Sequence, residues 1–489
     1  MTVRTLVCAV ALFFGPCPVA AELAPCTLPG LEEPARCGTV EVLENRQAPA
    51  GRKIGIKVVV LPARGSSPAP DPVFALAGGP GESATGAARV FAQRFEEARR
   101  ERDVVLVDLR GTGGSNPLHC PLPGRDDDPQ SYLGDLFPVE SIRGCRKRLD
   151  ADLARYTTSE AVADLEEVRA ALGYERINLY GFSYGSRAVL VYLRSYPGRV
   201  RSAILQGVVP TDMKVPLHYA EDAQRSLGLL LAECEADAAC RAAYPGLPEK
   251  LAAVQKRLAA APVSVEIEDP KTKRRVRLPL SLSLFHEEIR WRLYGEGENV
   301  VPSYIERAYH GDFSALATSL LRQRRALAAG ALSLGTLLSV TCAEDVPFID
   351  VTEARRRAEG SFLGTDRVDQ QVRACAEWPR GELPAGYADP VRSEVPVLLI
   401  SGERDPVTPP RWGEQVARHL PNARHVVLRG GGHSGRSPCV RELLSGFLAR
   451  GTAGADDASC ARQAPQAAFA LLAAKPAVPE PSAAAASAM

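Results

Sequence analysis

The chain has 489 residues, of which 59 are Lys or Arg and 58 are Asp or Glu, so its net charge is close to zero. This length allows about two to four domains or one large domain with an insertion, and the balanced charge argues against a nucleic-acid-binding protein, whose basic face leaves a cationic surplus. Charged residues make up 24% and hydrophobic residues 45%, which excludes wholesale disorder and a fibrous protein. No apolar run reaches the ~18 residues of a membrane span.

The first 21 residues are typical of an export signal. Arg4 gives the segment a positive start, residues 6–14 are apolar, and the small residues at 19–21 are those that a signal peptidase recognises. We therefore predict export, to the periplasm or to the exterior of a bacterial cell.

Export changes the interpretation of the cysteines, because an even number of them in an exported chain indicates disulfide bonds. Ten of the twelve cysteines lie after the signal and form five neighbouring couples. The couples are Cys26 with Cys37, Cys120 with Cys145, Cys234 with Cys240, Cys342 with Cys375, and Cys439 with Cys460. Spacing alone leaves every connectivity open, and sequential pairing is our prediction. No Cys/His cluster has the spacing of a zinc site, so we predict no metal.

Short apolar runs rich in β-branched residues recur along the mature chain, each ending near Gly or Pro. They are Cys37–Leu43, Ile54–Leu61, Val73–Ala77, Val104–Val107, Ile177–Tyr180, Ala203–Leu205, Val397–Ile400 and His425–Leu428. Amphipathic helical stretches such as Thr158–Leu172 and Arg411–His419 lie between several of them. This alternation predicts an α/β fold with an eight-stranded, mostly parallel sheet covered on both faces by helices.

The alternation of strands and helices stops between about residues 211 and 390. Long helical patterns at Leu217–Cys234 and Tyr304–Ala329 predict a mostly helical cap insertion there. Such a cap would cover the carboxyl ends of the strands, where ligands bind in α/β sheets. The predicted organisation is a signal peptide at 1–21, a first part of the core at 22–210, the cap at 211–390, the second part of the core at 391–462 and a low-complexity tail at 463–489.

The strongest chemical signal is the segment Gly181-Phe182-Ser183-Tyr184-Gly185, which follows a predicted strand and precedes a predicted helix. In this context a G-x-S-x-G sequence is typical of a nucleophile elbow, a tight turn that exposes the serine hydroxyl at the sheet edge. We predict that Ser183 is a nucleophile. The N–H of Tyr184, at the start of the helix, is predicted to face a developing oxyanion.

A serine nucleophile needs a base, and the base needs a group that orients it. In the chain order Ser, acid, His, the candidates are Asp405, a few residues past the strand Val397–Ile400, and His433, after the turn Gly430-Gly431-Gly432. Glu403 is the alternative acid.

A second oxyanion donor is predicted in the segment Ala77-Gly78-Gly79-Pro80-Gly81-Glu82-Ser83, which follows the third strand. Pro80 has no N–H, so Gly79 is the candidate donor, and its missing side chain lets the backbone approach a substrate closely. A phosphate-binding loop is the rival interpretation, but the G-K-[ST] ending of that motif is absent.

Together these motifs resemble the α/β-hydrolase serine exopeptidases, namely the proline iminopeptidases and the tripeptidyl aminopeptidases with their characteristic C-terminal region. The motifs are Gly78-Gly79-Pro80-Gly81, Asp108-Leu109-Arg110-Gly111-Thr112-Gly113, the elbow at 181–185, Gly402-Glu403-Arg404-Asp405-Pro406-Val407-Thr408-Pro409 and Gly430-Gly431-Gly432-His433. The segments at 341–345 and 375–379 fit the tripeptidyl branch, as does Cys439. Ala77 stands where many proline iminopeptidases have His. The resemblance implies the α/β-hydrolase fold and no cofactor.

The resemblance also implies a peptide substrate with a free N-terminus, whose ammonium group needs carboxylates to bind it. The candidates are Glu344, Asp345 and Glu377, which lie in the predicted cap near Cys342 and Cys375. Two alternatives remain: a carboxylesterase or lipase-like hydrolase with the same triad, and a non-catalytic binding protein on the same fold. The sequence leaves open the preferred residues, the number of residues removed and the oligomeric state.

Overall fold

The structure, a computed structural model, describes residues 21–294, 297–435, 437–452, 458–462 and 469–471. The predicted signal peptide therefore lies outside the described residues except for Ala21, and so does the predicted tail except for residues 469–471.

A nine-stranded sheet forms the centre of the molecule. Its strands are β1 (Ala24–Leu28), β2 (Leu31–Leu43), β3 (Lys53–Leu61), β4 (Val73–Leu76), β5 (Val104–Val107), β6 (Ile177–Phe182), β7 (Val200–Gln206), β10 (Val397–Gly402) and β11 (Ala423–Leu428), and a separate hairpin contains β8 (Val263–Glu268) and β9 (Arg275–Leu280). The spatial order is β1-β2-β3-β5-β4-β6-β7-β10-β11. From β5 onward neighbouring strands are parallel, whereas β1, β2 and β3 pair antiparallel.

All eight predicted strands are present, but the sheet has a ninth strand, β1, that the sequence did not reveal. Most of its side chains are exposed or half-buried, so no apolar pattern marks it. It forms a hairpin with β2, and the Cys26–Cys37 disulfide joins the two strands. In contrast, every residue of β4 and β5 is buried, as expected for strands covered on both faces.

Helices pack on both faces of the sheet and fill the segment between β7 and β10. They are α1 (Ala88–Arg94), α2 (Val139–Arg148), α3 (Thr158–Ala171), α4 (Tyr184–Ser195), α5 (Tyr219–Ala236), α6 (Ala238–Ala243), α7 (Leu247–Ala260), α8 (Leu282–Leu293), α9 (Val301–Tyr309), α10 (Ser314–Ala328), α11 (Leu334–Glu344), α12 (Val351–Ala358), α13 (Asp366–Cys375), α14 (Pro410–Ala417), α15 (Pro438–Arg450) and α16 (Ser459–Arg462). Within the described residues, no helix combines the length and the apolarity that crossing a bilayer requires.

The segment between β7 and β10 contains α5–α13 and the β8–β9 hairpin, of which α5–α10 and the hairpin share a hydrophobic core separate from that of the sheet. The sequence predicted one helix over Tyr304–Ala329, but the structure has two. α9 ends at Tyr309 and α10 begins at Ser314, because Gly311 between them adopts a φ of +87°, which ends a helix.

The disulfides follow the predicted sequential scheme. The bonded pairs are Cys26–Cys37, Cys120–Cys145, Cys234–Cys240, Cys342–Cys375 and Cys439–Cys460. Two of them close loops in the segment between β7 and β10, where no central sheet holds the helices together.

We expect all ten cysteines of the mature chain to be oxidised when the protein is produced in an exporting host. Thiol titration of the denatured, unreduced protein should find essentially no free thiol, and reduction should lower the free energy of unfolding, because each bridge contributes about 2–4 kcal/mol. Two or more free thiols per chain would contradict the scheme.

Candidate active site

The turn between β6 and α4 gives Ser183 its position. Ser183 has φ 54° and ψ −121°, an uncommon conformation for a residue with a side chain. A Cβ on Gly181 would lie 2.3 Å from the carbonyl oxygen of Gly185, and a Cβ on Gly185 would lie 2.6 Å from that of Ala77. Both glycines are therefore required by close backbone contacts, which is the structural reason for the G-x-S-x-G sequence.

His433 and Asp405 come together at the carboxyl ends of β11 and β10. The Nδ1–H of His433 donates to Oδ2 of Asp405 over 2.7 Å, and the hydroxyl of Thr408 donates to the same oxygen over 2.7 Å. The other oxygen, Oδ1, accepts the backbone N–H groups of Val407 and Thr408, each at 2.8 Å. With Nδ1 engaged, Nε2 is the ring nitrogen of His433 that is left to take a proton.

The electrostatics of Asp405 suit a carboxylate that stays ionised. Asp405 is completely buried, and this burial alone raises its pKa. The charge of His433 and the hydrogen bonds from His433 and Thr408 more than offset the effect of burial, so that the pKa of Asp405 lies below its ordinary value.

Ser183 and His433 line one cavity of about 900 Å³. The ring of His433 packs between Phe182, with ring centroids 5.0 Å apart, and Tyr294, at 5.4 Å. Tyr294 belongs to the segment between β7 and β10, which supplies most of the cavity wall. Because this wall covers the two side chains, an extended chain end can enter more readily than the middle of a folded protein.

The glycine-rich loop after β4 lies against the serine. A Cβ on Gly78 would be 3.1 Å from Cβ of Ser183, and Gly79, with φ +106°, lines the cavity. Tyr184 is the first residue of α4, and the first N–H groups of a helix have no partner within it. Gly79 therefore lines the same cavity as Ser183, and Tyr184 directly follows Ser183 at the start of α4, while their role as oxyanion donors stays a prediction.

Glu82 is an acid of this loop that the sequence motifs did not single out. Its Oε2 accepts the N–H of Gly78 over 3.2 Å, and it makes no ion pair with a described residue. The side chain is exposed to the cavity, yet protein surrounds it closely. Burial raises the pKa of Glu82, although the hydrogen bond from Gly78 and the charge of His433 act in the opposite direction.

The acids that the sequence nominated for binding a substrate ammonium group lie elsewhere. Glu344 accepts hydrogen bonds from the N–H and hydroxyl of Thr158, at 2.6 and 2.8 Å, and Asp345 forms a 2.9 Å ion pair with Arg187. Both acids are buried behind α4.

Glu377 is 2.7 Å from Arg143 in a surface ion pair. None of the three nominated acids, Glu344, Asp345 and Glu377, lines the cavity. The structure therefore differs from the expectation, because arginine and backbone partners that are distant in sequence already engage these acids.

Three further side chains at the site were missed by the sequence reasoning. Glu82 directly follows Gly-Gly-Pro-Gly, so its position in the motif could have identified it. Thr408 lies three residues after Asp405, a spacing that places its hydroxyl on the carboxylate. Tyr294 carried no signal, because its contact with His433 depends on how the segment between β7 and β10 folds back. Within the described part of the chain, no three His, Cys, Asp or Glu side chains cluster as metal ligands.

Comparison with known proteins identifies related families. Residues 71–233 match the alpha/beta hydrolase fold family, and residues 360–460 match the TAP-like protein family. Serine protease Hip1 of Mycobacterium tuberculosis is 26% identical over 471 residues, which cover 87% of each chain. Tripeptidyl aminopeptidase of Streptomyces coelicolor is 23% identical over 474 residues, 89% of this chain and 84% of the relative.

Proline iminopeptidase of Xylella fastidiosa is 30% identical over 137 residues, which cover 28% of this chain and 32% of the relative. The family resemblance inferred from the motifs is thereby confirmed, and so is the fold class.

Proposed function

We propose that this chain, an α/β hydrolase related to the tripeptidyl aminopeptidases, is an exported serine aminopeptidase that releases residues or tripeptides from the free N-termini of peptides. It is organised as a hydrolase core at 22–210 and 391–462 with a cap at 211–390. The relatives include a serine protease, a tripeptidyl aminopeptidase and a proline iminopeptidase, which supports peptide hydrolysis. Five disulfides support an oxidising location.

The proposed reaction has two steps. The hydroxyl oxygen of Ser183 attacks the peptide carbonyl while Nε2 of His433 takes its proton, and the N–H groups of Gly79 and Tyr184 hold the oxyanion. His433 then gives the proton to the leaving amine as the C–N bond breaks, which leaves an acyl-enzyme. Water, activated by His433, releases the acyl group and restores Ser183. Asp405 holds the tautomer of His433 throughout.

One observation carries the aminopeptidase assignment: an unpaired carboxylate lies beside the nucleophile. A Cβ on Gly78 would be 3.2 Å from Oε2 of Glu82 and 3.1 Å from Cβ of Ser183, so acid and serine both lie next to Gly78. Glu82 is exposed to the cavity and has no ion-pair partner among the described residues, and a substrate α-ammonium group would supply one. A neutral ester would leave this carboxylate unpaired.

The second acid on the cavity wall is less suited to this role. Glu287 already forms a 2.6 Å ion pair with Arg324. We therefore assign ammonium binding to Glu82, in place of the acids Glu344, Asp345 and Glu377.

We expect acetylation of the substrate N-terminus to lower kcat/KM on the order of 100-fold, because the capped substrate has no charge with which to form the ion pair with Glu82. The measurement compares free and N-acetylated aminoacyl and tripeptidyl chromogenic amides, with a simple ester alongside. Equal cleavage of the capped and free amides would favour the esterase or endopeptidase alternative.

Two variants identify the acid. Glu82→Gln keeps an acceptor for the N–H of Gly78 but loses the charge, so it should reduce the preference for the free N-terminus. Glu287→Gln, a charge removed from the same cavity wall, is the matched control and should retain the preference.

A further inference from the structure

The cavity wall provided by the segment between β7 and β10 is rich in arginine. Arg290, Arg292, Arg322 and Arg367 line it, against two acids, Glu82 and Glu287. Arg292 is neutralised by Glu288 at 2.7 Å. In contrast, Arg290 and Arg367 make no ion pair with any described residue. The cavity therefore has an excess of positive charge at this wall.

Arg367, in the first turn of α13, is the most unusual of these cations. Its Nε and Nη1 are buried with no hydrogen-bond partner among the described residues, and its guanidinium carbon lies 4.5 Å from the ring centre of Phe137. Burial, followed by the nearby charge of Arg290, lowers the pKa of Arg367 to about 10. Buried guanidinium N–H groups without a partner destabilise a protein. We therefore expect a bound ligand to supply an anionic partner for Arg367.

Arg290 connects this cation to the candidate catalytic groups. Its guanidinium carbon lies 4.5 Å from the ring centre of Tyr219 and 4.8 Å from that of Tyr294, and it donates to the hydroxyl of Tyr294. Its Nε is buried without a partner. The ring of Tyr294 also contacts the ring of His433, with centroids 5.4 Å apart. Arg290 and the proposed general base thus contact the same tyrosine.

We infer that Arg290 and Arg367 form a subsite that binds the C-terminal carboxylate of a short peptide on the leaving-group side of the scissile bond. The assignment of the side rests on the proposed function, because His433 gives its proton to the leaving amine, and the leaving group must therefore lie next to His433. Guanidinium groups bind carboxylates through paired, charge-assisted hydrogen bonds, and two half-buried arginines whose buried N–H groups have no partner favour an anion over a neutral amide. With Glu82 beside Ser183, the cavity binds the opposite charges of the two ends of a small peptide.

The test uses the alanine dipeptide and the alanine tetrapeptide, which cover release of one residue or of three. Each peptide is prepared with a free or acetylated N-terminus and with a C-terminal carboxylate or amide. We expect kcat/KM for the free acid to exceed that for the amide on the order of 10-fold or more. Equal values for acid and amide would overturn the inference.

A second pair of peptides separates the two sources of a carboxylate. The C-terminal alanine of each amide is replaced by Glu or by Gln. If the Glu amide is cleaved faster than the Gln amide while the alanine acid and amide are equal, the arginines bind an acidic side chain and the assignment to the peptide C-terminus is overturned.

Arg367→Gln removes one of the two charges and should lower the ratio of acid to amide toward one. The matched control is Arg373→Gln on the same helix, whose side chain is exposed and 3.9 Å from Asp135, outside the cavity. This control should keep the wild-type ratio. A ratio that falls equally in both variants would show a general effect of charge and would contradict a subsite at Arg367.

The two proposals fail in different ways. Failure of the aminopeptidase assignment appears as equal cleavage of acetylated and free peptides, whereas failure of the carboxylate subsite appears as equal cleavage of acid and amide. If no peptide is turned over, calorimetric titration of the same peptides into the Ser183→Ala protein measures the acid-to-amide ratio of Kd directly, and a ratio near one overturns the subsite.

Discussion

Replacing Ser183 by alanine is expected to lower kcat by about 10⁴-fold or more while the protein remains folded. The hydroxyl oxygen is the atom that forms the acyl bond, and loss of a triad nucleophile leaves only the contribution of the oxyanion donors and of substrate binding. Alanine has the same Cβ, so the substitution removes the hydroxyl oxygen and adds no atom to the turn. Steady-state kinetics on a peptide amide measure the loss of kcat, and a thermal melt checks that the Ser183→Ala protein remains folded.

A serine-directed fluorophosphonate provides an independent measurement, because it labels an activated serine without peptide turnover. Intact mass should show one label on the wild-type protein and none on Ser183→Ala. Ser434→Ala, a serine that lines the same cavity next to His433, is the matched control and should be labelled. Residual activity of Ser183→Ala above ~1% of wild type, or labelling of that variant, would assign the nucleophile elsewhere.

The sheet could be predicted from sequence because burial on both faces imposes a continuous apolar run. β4 and β5 are wholly buried, and their four-residue apolar runs stand out between turn residues. β1 has no such pattern, since most of its side chains face solvent and its pairing with β2 depends on a hairpin and a disulfide. An edge strand of this kind satisfies its backbone hydrogen bonds without any apolar signature.

The nucleophile and its acid and base could be nominated because local backbone geometry determines their neighbours. The close contacts at Gly181 and Gly185 exclude any side chain, so they leave a readable motif around Ser183. Asp405 follows β10 and His433 follows β11, and these two strands are neighbours in the sheet. The fold class alone predicts that they are neighbours.

The acid that faces the substrate and the arginines on the cavity wall could not be assigned in this way. Glu344 and Asp345 carry the charge expected of an ammonium site, but the sequence does not show that Arg187, on α4, is buried against them. Conversely, Arg290 and Arg367 are 77 positions apart, and neither belongs to a recognisable motif. They line one cavity because of how the segment between β7 and β10 folds, which no local pattern records.

Replacing Asp405 by asparagine should lower kcat by about 10⁴-fold, the second-largest effect we expect. The carboxylate accepts the Nδ1–H of His433 over 2.7 Å, which leaves Nε2 free to take the proton of Ser183. An amide group in its place can donate to Nδ1 and so favours the tautomer in which Nε2 carries the proton and cannot act as a base. Asparagine is nearly the same size as aspartate, so the substitution leaves no cavity, and the loss of kcat is attributed to the changed tautomer of His433.

Glu403→Gln is the control, because Glu403 is the other acid that follows β10. Its Oε2 accepts the N–H of Gly430 over 2.8 Å, a contact that shapes the turn before His433 without touching the imidazole. We expect this variant to retain most of the activity. If Glu403→Gln loses activity and Asp405→Asn does not, the two acids exchange roles.

The pH dependence of the free energy of unfolding is a second measurement on the Asp405→Asn protein. The pKa of Asp405 is lowered in the folded protein, so the folded state favours the ionised carboxylate. The stabilisation that this provides is present above the ordinary pKa of an aspartate, and it is lost as the pH falls through the lower, folded-state pKa. Asparagine does not titrate, so Asp405→Asn should be less stable than wild type near neutral pH, and the difference should shrink as the solution is acidified through that window. Urea unfolding at a series of pH values measures this difference in the free energy of unfolding.

A difference that does not change with pH would mean that the carboxylate of Asp405 is not held as an anion. The imidazole of His433 would then lack the partner that makes Nε2 a base.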